Sequence, residues 1–78
     1  MTVVTVYSGT VAKARAVLRA LLRDGWQIKR ESSLHKILVK GSRQMTFAFH
    51  DKEDLGAPAM RAVAKEFGYS IEELRKLL

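Results

Sequence analysis

Three runs of alternating apolar and polar residues follow one another in the middle of the chain, separated by short polar turns. They cover residues 26–31, 34–40 and 44–50, with Ser32-Ser33 and Gly41-Ser42 between them. Alternation of this kind is typical of half-buried strands. Because such short turns join antiparallel neighbours, we predict a three-stranded antiparallel meander.

Apolar residues at helical spacing flank the meander on both sides. Residues 11–23 carry one apolar stripe and end at Asp24-Gly25, a helix-stop pattern. Pro58 suits the first turn of a second helix, and Ser70 with Glu73 forms a capping-box pattern for a short third helix. A stretch rich in Val and Thr at residues 1–7 predicts an additional N-terminal strand. The predicted order is β-α-β-β-β-α-α, an α+β fold.

The strand patterns also predict which side chains form the core. On the second strand of the meander, Lys36 and Lys40 share one face, which favours exposure of that face to solvent. The opposite face, with His35, Ile37 and Val39, would then be turned toward the helices. We therefore predict one core between sheet and helices, formed by Trp26, Ile28, Ile37, Val39, Met45, Phe47, Phe49, Met60, Val63 and Phe67.

The small size and the absence of cysteine exclude several classes of protein. A chain of 78 residues is near the lower limit for closing a core alone, so we expect a single domain over residues 1–78. Without cysteine there is neither a disulfide framework nor a thiolate metal site, and no nucleotide-binding or zinc motif occurs. We expect no cofactor and no metal. The apolar N-terminus is short and has no leading basic stretch, so we expect no signal peptide, no membrane span and a cytoplasmic location.

The net charge of +6 is concentrated in the first part of the chain. Residues 1–43 hold nine Lys and Arg against two acidic residues, whereas residues 44–78 hold five against six. A basic surface of this kind favours an anionic partner, most commonly nucleic acid. Arg15, Arg19 and Arg23 recur every four residues of the first predicted helix. This column of like charges either is solvated or contacts an anion.

Two histidines are the candidates for proton transfer near neutral pH. Histidine is the side chain whose ordinary pKa allows both protonation states there. His35 lies at the start of the second strand, where a structural role and a catalytic role are both open. His50 precedes the acidic residues Asp51, Glu53 and Asp54. A surface or capping role is its default reading, and it stays a secondary catalytic candidate.

An ordered series of residues begins at Asp24-Gly25-Trp26 and continues without a gap through Arg30 to His35. The series extends through Phe49-His50, Leu55, Met60-Arg61 and Phe67-Gly68 to residues 70–74. With this series, residues 22–78 resemble the HicA/YcfA-like family of toxin domains, and His35 stands at the position of the family's catalytic histidine. Ser33-Leu34 stands where the family has Gly-Ser, and Ala57-Pro58-Ala59 replaces its Lys-Gly-Thr.

This resemblance implies a fold, an activity and a partner. The fold is similar to that of double-stranded-RNA-binding domains, with helices packed on one face of a three-stranded sheet. The activity is metal-independent cleavage of messenger RNA, with His35 as the acid/base residue. Lys29, Arg30 and Lys36 are then the expected phosphate contacts, and the arginine column is a more distant electrostatic guide. The expected partners are RNA and a HicB-like antitoxin.

Two other functions are consistent with the same sequence. The chain could be a non-catalytic RNA-binding domain that keeps the fold, which Leu34 beside His35 favours. It could also be a subunit that mainly binds a partner protein, with residues 1–7 supplying a strand for sheet pairing.

Overall fold

The computed structural model describes residues 12–32 and 34–78. It contains five strands and three helices in that part of the chain. In chain order these are β1 (Ala12–Lys13), α1 (Ala14–Arg23), β2 (Gln27–Glu31), β3 (Lys36–Lys40), β4 (Arg43–Phe47), β5 (Asp54–Leu55), α2 (Ala57–Phe67) and α3 (Ile71–Leu77). The strand predicted at residues 1–7 lies outside the described residues.

The predicted meander is confirmed as an antiparallel sheet in the order β2-β3-β4. The β3–β4 register is regular, with Lys36 opposite Phe47 and Lys40 opposite Arg43. The β2–β3 register shifts between Ile28 and Arg30, so Lys29 lies in a bulge of the edge strand. A bulge with charged side chains disfavours pairing of this edge with a further strand.

Three of the helix boundaries have a local cause. Gly68 ends α2 with a φ of 86°, in the left-handed region that glycine enters at little cost. Pro58 lies in the first turn of α2, where its missing N–H is not needed. Ser70 and Glu73 form the predicted capping box of α3, in which each side chain accepts a hydrogen bond from the other residue's backbone N–H.

The core lies between one face of the sheet and the three helices. The α1 stripe contributes Ala14, Val17, Leu18 and Leu21, all buried. Three aromatic rings pack edge to face across the layer: Phe67 lies 4.8 Å from Trp26 and 6.4 Å from Phe47, measured between ring centroids. Such contacts add to the free energy gained by burying apolar area. Of the predicted core, Trp26, Phe47, Met60, Val63 and Phe67 are buried, and Met45 and Phe49 pack against them.

The predicted orientation of β3 is wrong. Lys36 and Leu38 face the helices and are buried, at 7% and 0% exposure, whereas Ile37 and Val39 are only partly buried on the opposite face. Ile28 is 39% exposed on the edge strand and is also outside the core. The physical reason is that a lysine stem covers apolar surface while its ammonium reaches polar partners at the rim. Lys36 and Lys40 both do so.

A second, two-stranded sheet was not predicted. Ala12 pairs with Leu55 and Lys13 with Asp54, and the Lys13 ammonium lies 2.8 Å from the Asp54 carboxylate. The first helix therefore begins at Ala14 and not at residue 11. The segment between β4 and α2, for which no element was predicted, contains β5. Leu55 is 1% exposed, so this small sheet joins the main core.

None of the helices in the described residues is long and apolar enough to cross a membrane.

Candidate active site at one end of the sheet

The turn between β2 and β3 carries His35, whose side chain is exposed. The His35 backbone N–H donates to the Ser32 hydroxyl oxygen at 3.2 Å, and the Ser32 backbone N–H donates to the His35 carbonyl at 2.8 Å. These reciprocal bonds fix the backbone on both sides of the turn. His35 is therefore exposed to solvent at a fixed position. The alternation along the second strand of the meander had predicted that it faces the helices, and this prediction is wrong.

Lys36 follows His35 directly and is a buried charged side chain. Its ammonium lies 3.5 Å from Asp51 Oδ1 and 3.9 Å from Glu31 Oε2. Burying an ammonium is costly unless it is paired, and these two carboxylates supply the pairing. As a result, the Lys36 charge is already balanced within the fold, which weakens its predicted role as a direct phosphate contact.

His50 lies on the loop that follows β4, and this loop is anchored at several points. The His50 backbone N–H donates to Glu53 Oε1 at 3.3 Å, and the Glu53 backbone N–H donates to the His50 carbonyl at 2.9 Å. The loop also caps α1, since Ala14 N–H donates to the Glu53 carbonyl at 2.8 Å and Arg15 N–H to the Asp51 carbonyl at 3.1 Å. Loop carbonyls thus satisfy N–H groups of the first turn of α1, where no side-chain cap is present.

An open cavity of about 510 Å³ separates the end of β2 from this loop. It is lined by Glu31, Ser32, Lys36, His50, Asp51 and Lys52. We call these six residues together with His35 the histidine end of the sheet. At this end, the His35 imidazole is exposed on the turn and the His50 imidazole lines the cavity from the anchored loop. The buried Lys36 ammonium is paired with Asp51 and Glu31.

The structure does not bring the predicted cationic residues together into one surface. Lys29 and Arg30 are exposed on β2, and the Lys29 ammonium donates to Gln44 Oε1 at 3.2 Å. Because β3 lies between β2 and β4, this side chain crosses the sheet face opposite the helices, which we call the open face. Arg15 is exposed on α1, in the helical layer, as is Arg19. Arg23 donates to the Leu77 carbonyl at 2.6 Å and so caps the end of α3.

Within residues 12–32 and 34–78, no group of three His, Asp or Glu side chains is arranged to hold a metal ion.

Residues 14–69 match the sequence profile of the family described as "HicA toxin of bacterial toxin-antitoxin". The match covers more than two thirds of the chain. The protein belongs to the HicA toxin family. No curated protein and no solved structure matches the chain significantly.

The region matched by the HicA toxin profile also contains a polar network that sequence reasoning missed. The Trp26 indole N–H donates to the Tyr69 hydroxyl oxygen at 3.0 Å, and the Tyr69 hydroxyl donates to Asp24 Oδ2 at 2.5 Å. The Lys40 ammonium donates to the same Asp24 oxygen at 3.0 Å. We call these four residues the tyrosine end of the sheet.

The network shifts the titration of three of its members. Hydrogen bonds from Tyr69 and from Lys40 lower the pKa of the Asp24 carboxyl below its usual value. The hydrogen bond to Asp24 raises the pKa of the Lys40 ammonium. Burial, and then the hydrogen bond to Asp24, raise the pKa of the Tyr69 hydroxyl. In the sequence, the part of this network that stands together is Asp24-Gly25-Trp26. By itself this motif predicts only the end of a helix and the start of a strand.

Arg43 closes the tyrosine end from the side of the β3–β4 turn. Its guanidinium carbon lies 5.7 Å from the centroid of the Trp26 ring. A Cβ atom at residue 68 would overlap an Arg43 nitrogen, so the guanidinium can approach only because residue 68 is glycine. Glycine is also favoured here by the left-handed backbone conformation. Arg43 therefore links the sheet to the end of α2.

Proposed function

We propose that this HicA-family protein is an RNA-cleaving toxin that acts at the histidine end, with His35 as its acid/base residue. The observation that carries the proposal is the position of His35. The resemblance to the family implies that this is the catalytic position, and the imidazole there is exposed on a turn fixed by Ser32. A residue that transfers protons to and from a large substrate needs both access and a defined position.

The chemistry needs no metal in this proposal. An imidazole takes the proton from a ribose 2′-hydroxyl while the hydroxyl oxygen attacks the adjacent phosphorus. Nearby cationic groups stabilise the negative charge that builds on the phosphate oxygens. One acid/base group contributes on the order of 10²- to 10⁴-fold to a rate. With orientation added, this is sufficient for a slow ribonuclease, and slow cleavage suffices for a toxin.

Phosphate contacts are assigned to the exposed cations of the strand that leads into this end. Lys29 and Arg30 lie on β2, the strand that leads into the His35 turn, and both are accessible. Arg15 and Arg19 in the helical layer act as a longer-range guide for the RNA, with Arg23 contributing charge while it caps α3. Lys36 supports the site through its ion pairs with Asp51 and Glu31.

The partner that restrains such a toxin is proposed to be a HicB-like antitoxin. The support is the family itself, whose description is that of a toxin from a bacterial toxin-antitoxin pair. The positive charge of the chain fits a partner with an acidic surface.

One observation favours a second candidate function, an RNA-binding domain without activity. Leu34, directly before His35, is 47% exposed and places an apolar side chain where the family has a small polar residue. If Leu34 only impairs the site, Leu34→Ser should raise RNA cleavage. If the protein binds RNA without cleaving it, Leu34→Ser should leave cleavage undetectable.

Induced expression tests the proposal, with growth and bulk RNA integrity as readouts. Expression of the natural chain should arrest growth and degrade messenger RNA, whereas His35→Ala should do neither. Ser42→Ala is the matched control, because Ser42 is an exposed residue in the turn at the opposite end of β3. It should behave like the natural chain. Undiminished arrest and RNA loss with His35→Ala would end the assignment.

A further inference from the structure

The two segments that carry the histidines are linked through one ion pair. His35 is the chain neighbour of Lys36, and His50 is the chain neighbour of Asp51. The Lys36 ammonium lies 3.5 Å from Asp51 Oδ1, so one contact ties the segment that carries His35 to the segment that carries His50. The single-histidine reaction proposed above gives His50 no part.

Cleavage of RNA without a metal ion has two proton transfers, at two places. The attacking 2′-oxygen and the leaving 5′-oxygen lie roughly in line on opposite sides of the phosphorus. A single side chain cannot reach both oxygens in one step, because proton transfer requires a separation of about 2.6–3.2 Å. A second group that can be protonated near neutral pH is therefore needed beside the leaving oxygen.

We propose that His50 is this second catalytic residue and that Lys36, through Asp51, is the positioning residue that sets the placement of His50 relative to His35. The inference rests on the proposed ribonuclease function and deepens it. His50 suits the role because its loop is held at both sides, by Glu53 and by the first turn of α1. It also lines an open cavity of about 510 Å³ with room for part of a nucleotide.

The other titratable groups of this cavity suit the role less well. The Glu31 and Asp51 carboxylates are already paired with the Lys36 ammonium, at 3.9 and 3.5 Å. Histidine is the side chain that can hold a proton near neutral pH and still release it.

The reaction balances with these two residues. The neutral imidazole of His35 takes the 2′-hydroxyl proton, the 2′-oxygen forms a bond to phosphorus, and the bond from phosphorus to the 5′-oxygen breaks. The protonated imidazole of His50 gives its proton to the departing 5′-oxygen. The products are a 2′,3′-cyclic phosphate and a free 5′-hydroxyl. His35 is left protonated and His50 neutral, and exchange with water restores both.

A substrate whose leaving group needs no proton separates the two roles. The probe is an RNA with sulfur in place of the bridging 5′-oxygen at one site that the natural chain cleaves, compared with the unmodified RNA. His50→Ala should lose on the order of 10²- to 10⁴-fold in single-turnover rate on the unmodified RNA. It should lose little on the sulfur-containing RNA, because a thiolate leaves without protonation. His35→Ala should be impaired on both substrates.

Variants of the two lysines of β3 test the positioning role. Lys36→Met should lower the single-turnover rate on unmodified RNA without changing the Kd for RNA, and Lys36→Arg should restore most of the rate. Lys40→Met is the matched control at the other end of the strand and should keep the natural rate. His50→Gln, which keeps a polar side chain, repeats the His50 test if His50→Ala does not fold.

Distinct results overturn the two proposals. An equal loss with His50→Ala on both RNAs, or no loss on either, removes His50 from the reaction. A Lys36→Met variant that weakens RNA binding at an unchanged rate makes Lys36 a binding residue and not a positioning one. In both cases the ribonuclease proposal stands if His35→Ala is inactive. Normal cleavage of both RNAs by folded His35→Ala would instead overturn the proposed function itself.

Discussion

The two ends of β3 carry the same residue type on the same face, in two different surroundings. Lys40 donates to Asp24 at 3.0 Å, and Asp24 also accepts a hydrogen bond from Tyr69. Lys36 is more buried, yet its two carboxylate contacts are longer, at 3.5 and 3.9 Å. The tyrosine end is thus a continuous chain of hydrogen bonds, whereas the histidine end has longer ion pairs, and an open cavity borders each end.

This difference indicates a division of labour within one strand. At the tyrosine end, the polar groups of Trp26, Tyr69 and Asp24 are bonded to one another, which stabilises the fold. At the histidine end, two imidazoles stay accessible on anchored backbone. We therefore expect changes at the tyrosine end to alter stability first and changes at the histidine end to alter activity first.

The largest expected effect comes from the core that both ends share. Phe47 lies opposite Lys36, is 1% exposed and contacts Phe49 and Phe67. Phe47→Ala should cost on the order of 3–5 kcal/mol in the free energy of unfolding, because it opens a cavity where three rings meet. Urea denaturation followed by circular dichroism measures this loss. A loss below about 1 kcal/mol would mean that the core does not run beneath both ends.

A smaller loss is expected at the tyrosine end alone. Tyr69→Phe removes the hydroxyl that accepts from Trp26 and donates to Asp24, so the buried indole N–H is left without its partner. Leaving such a donor unsatisfied costs about 1–3 kcal/mol. The same denaturation experiment measures the effect, with Ser42→Ala as the control that removes an exposed hydroxyl. An unchanged unfolding free energy for Tyr69→Phe would show that the network does not stabilise the fold.

The same network predicts a pH dependence of stability. Because the folded chain lowers the pKa of Asp24, this carboxylate stabilises the fold fully above its ordinary pKa of about 3.9, and the contribution is lost as pH falls through the lower, folded value. The pKa values of Lys40 and Tyr69 are raised. Their contributions are therefore full below about pH 10 and are lost as pH rises through their folded values.

Asp24→Asn should remove the acid part of this dependence. The difference in unfolding free energy between the natural chain and Asp24→Asn should be largest near neutral pH and shrink toward about pH 3. Urea denaturation across that range measures it. A difference that stays constant with pH would contradict a lowered Asp24 pKa.

The smallest effects concern binding of RNA. Lys29→Gln with Arg30→Gln should reduce the slope of log affinity against log salt by about 0.7 for each phosphate no longer neutralised, the value for single-stranded nucleic acid. Arg15→Gln with Arg19→Gln should reduce it less, because these residues guide the RNA from the helical layer. Fluorescence anisotropy at several salt concentrations measures both slopes. A larger reduction in slope for the Arg15 and Arg19 pair would indicate that RNA binds along the helical layer.

The sequence predicted the elements well and the orientation of β3 badly. Alternation at Met45, Phe47 and Phe49 and the capping box at Ser70 are local patterns, and local patterns carry most of the information for strands and helix ends. The orientation of β3 depends on whether Lys36 can be buried, which in turn depends on Asp51, fifteen residues away. Such long-range pairing leaves no periodic signal.

The two ends of the sheet also differ in how far the sequence predicts them. The resemblance to the HicA family makes His35 the candidate catalytic residue from the sequence alone, and the fold adds the turn that holds it. The Asp24, Trp26, Lys40 and Tyr69 network joins residues up to 45 positions apart, so composition and spacing do not reveal it. The β1–β5 pair was missed for a similar reason, since two residues per strand are too few for a recognisable alternation.

The most direct test of this division of labour is to measure melting temperature and RNA cleavage on the same preparations of His35→Ala and Tyr69→Phe. We predict that His35→Ala keeps the natural melting temperature and loses cleavage. Tyr69→Phe should melt lower, by about 4–8 °C for each kcal/mol of stability removed in a domain of this size, and cleave normally while folded. Well-folded His35→Ala that cleaves RNA at the natural rate would contradict this division of labour.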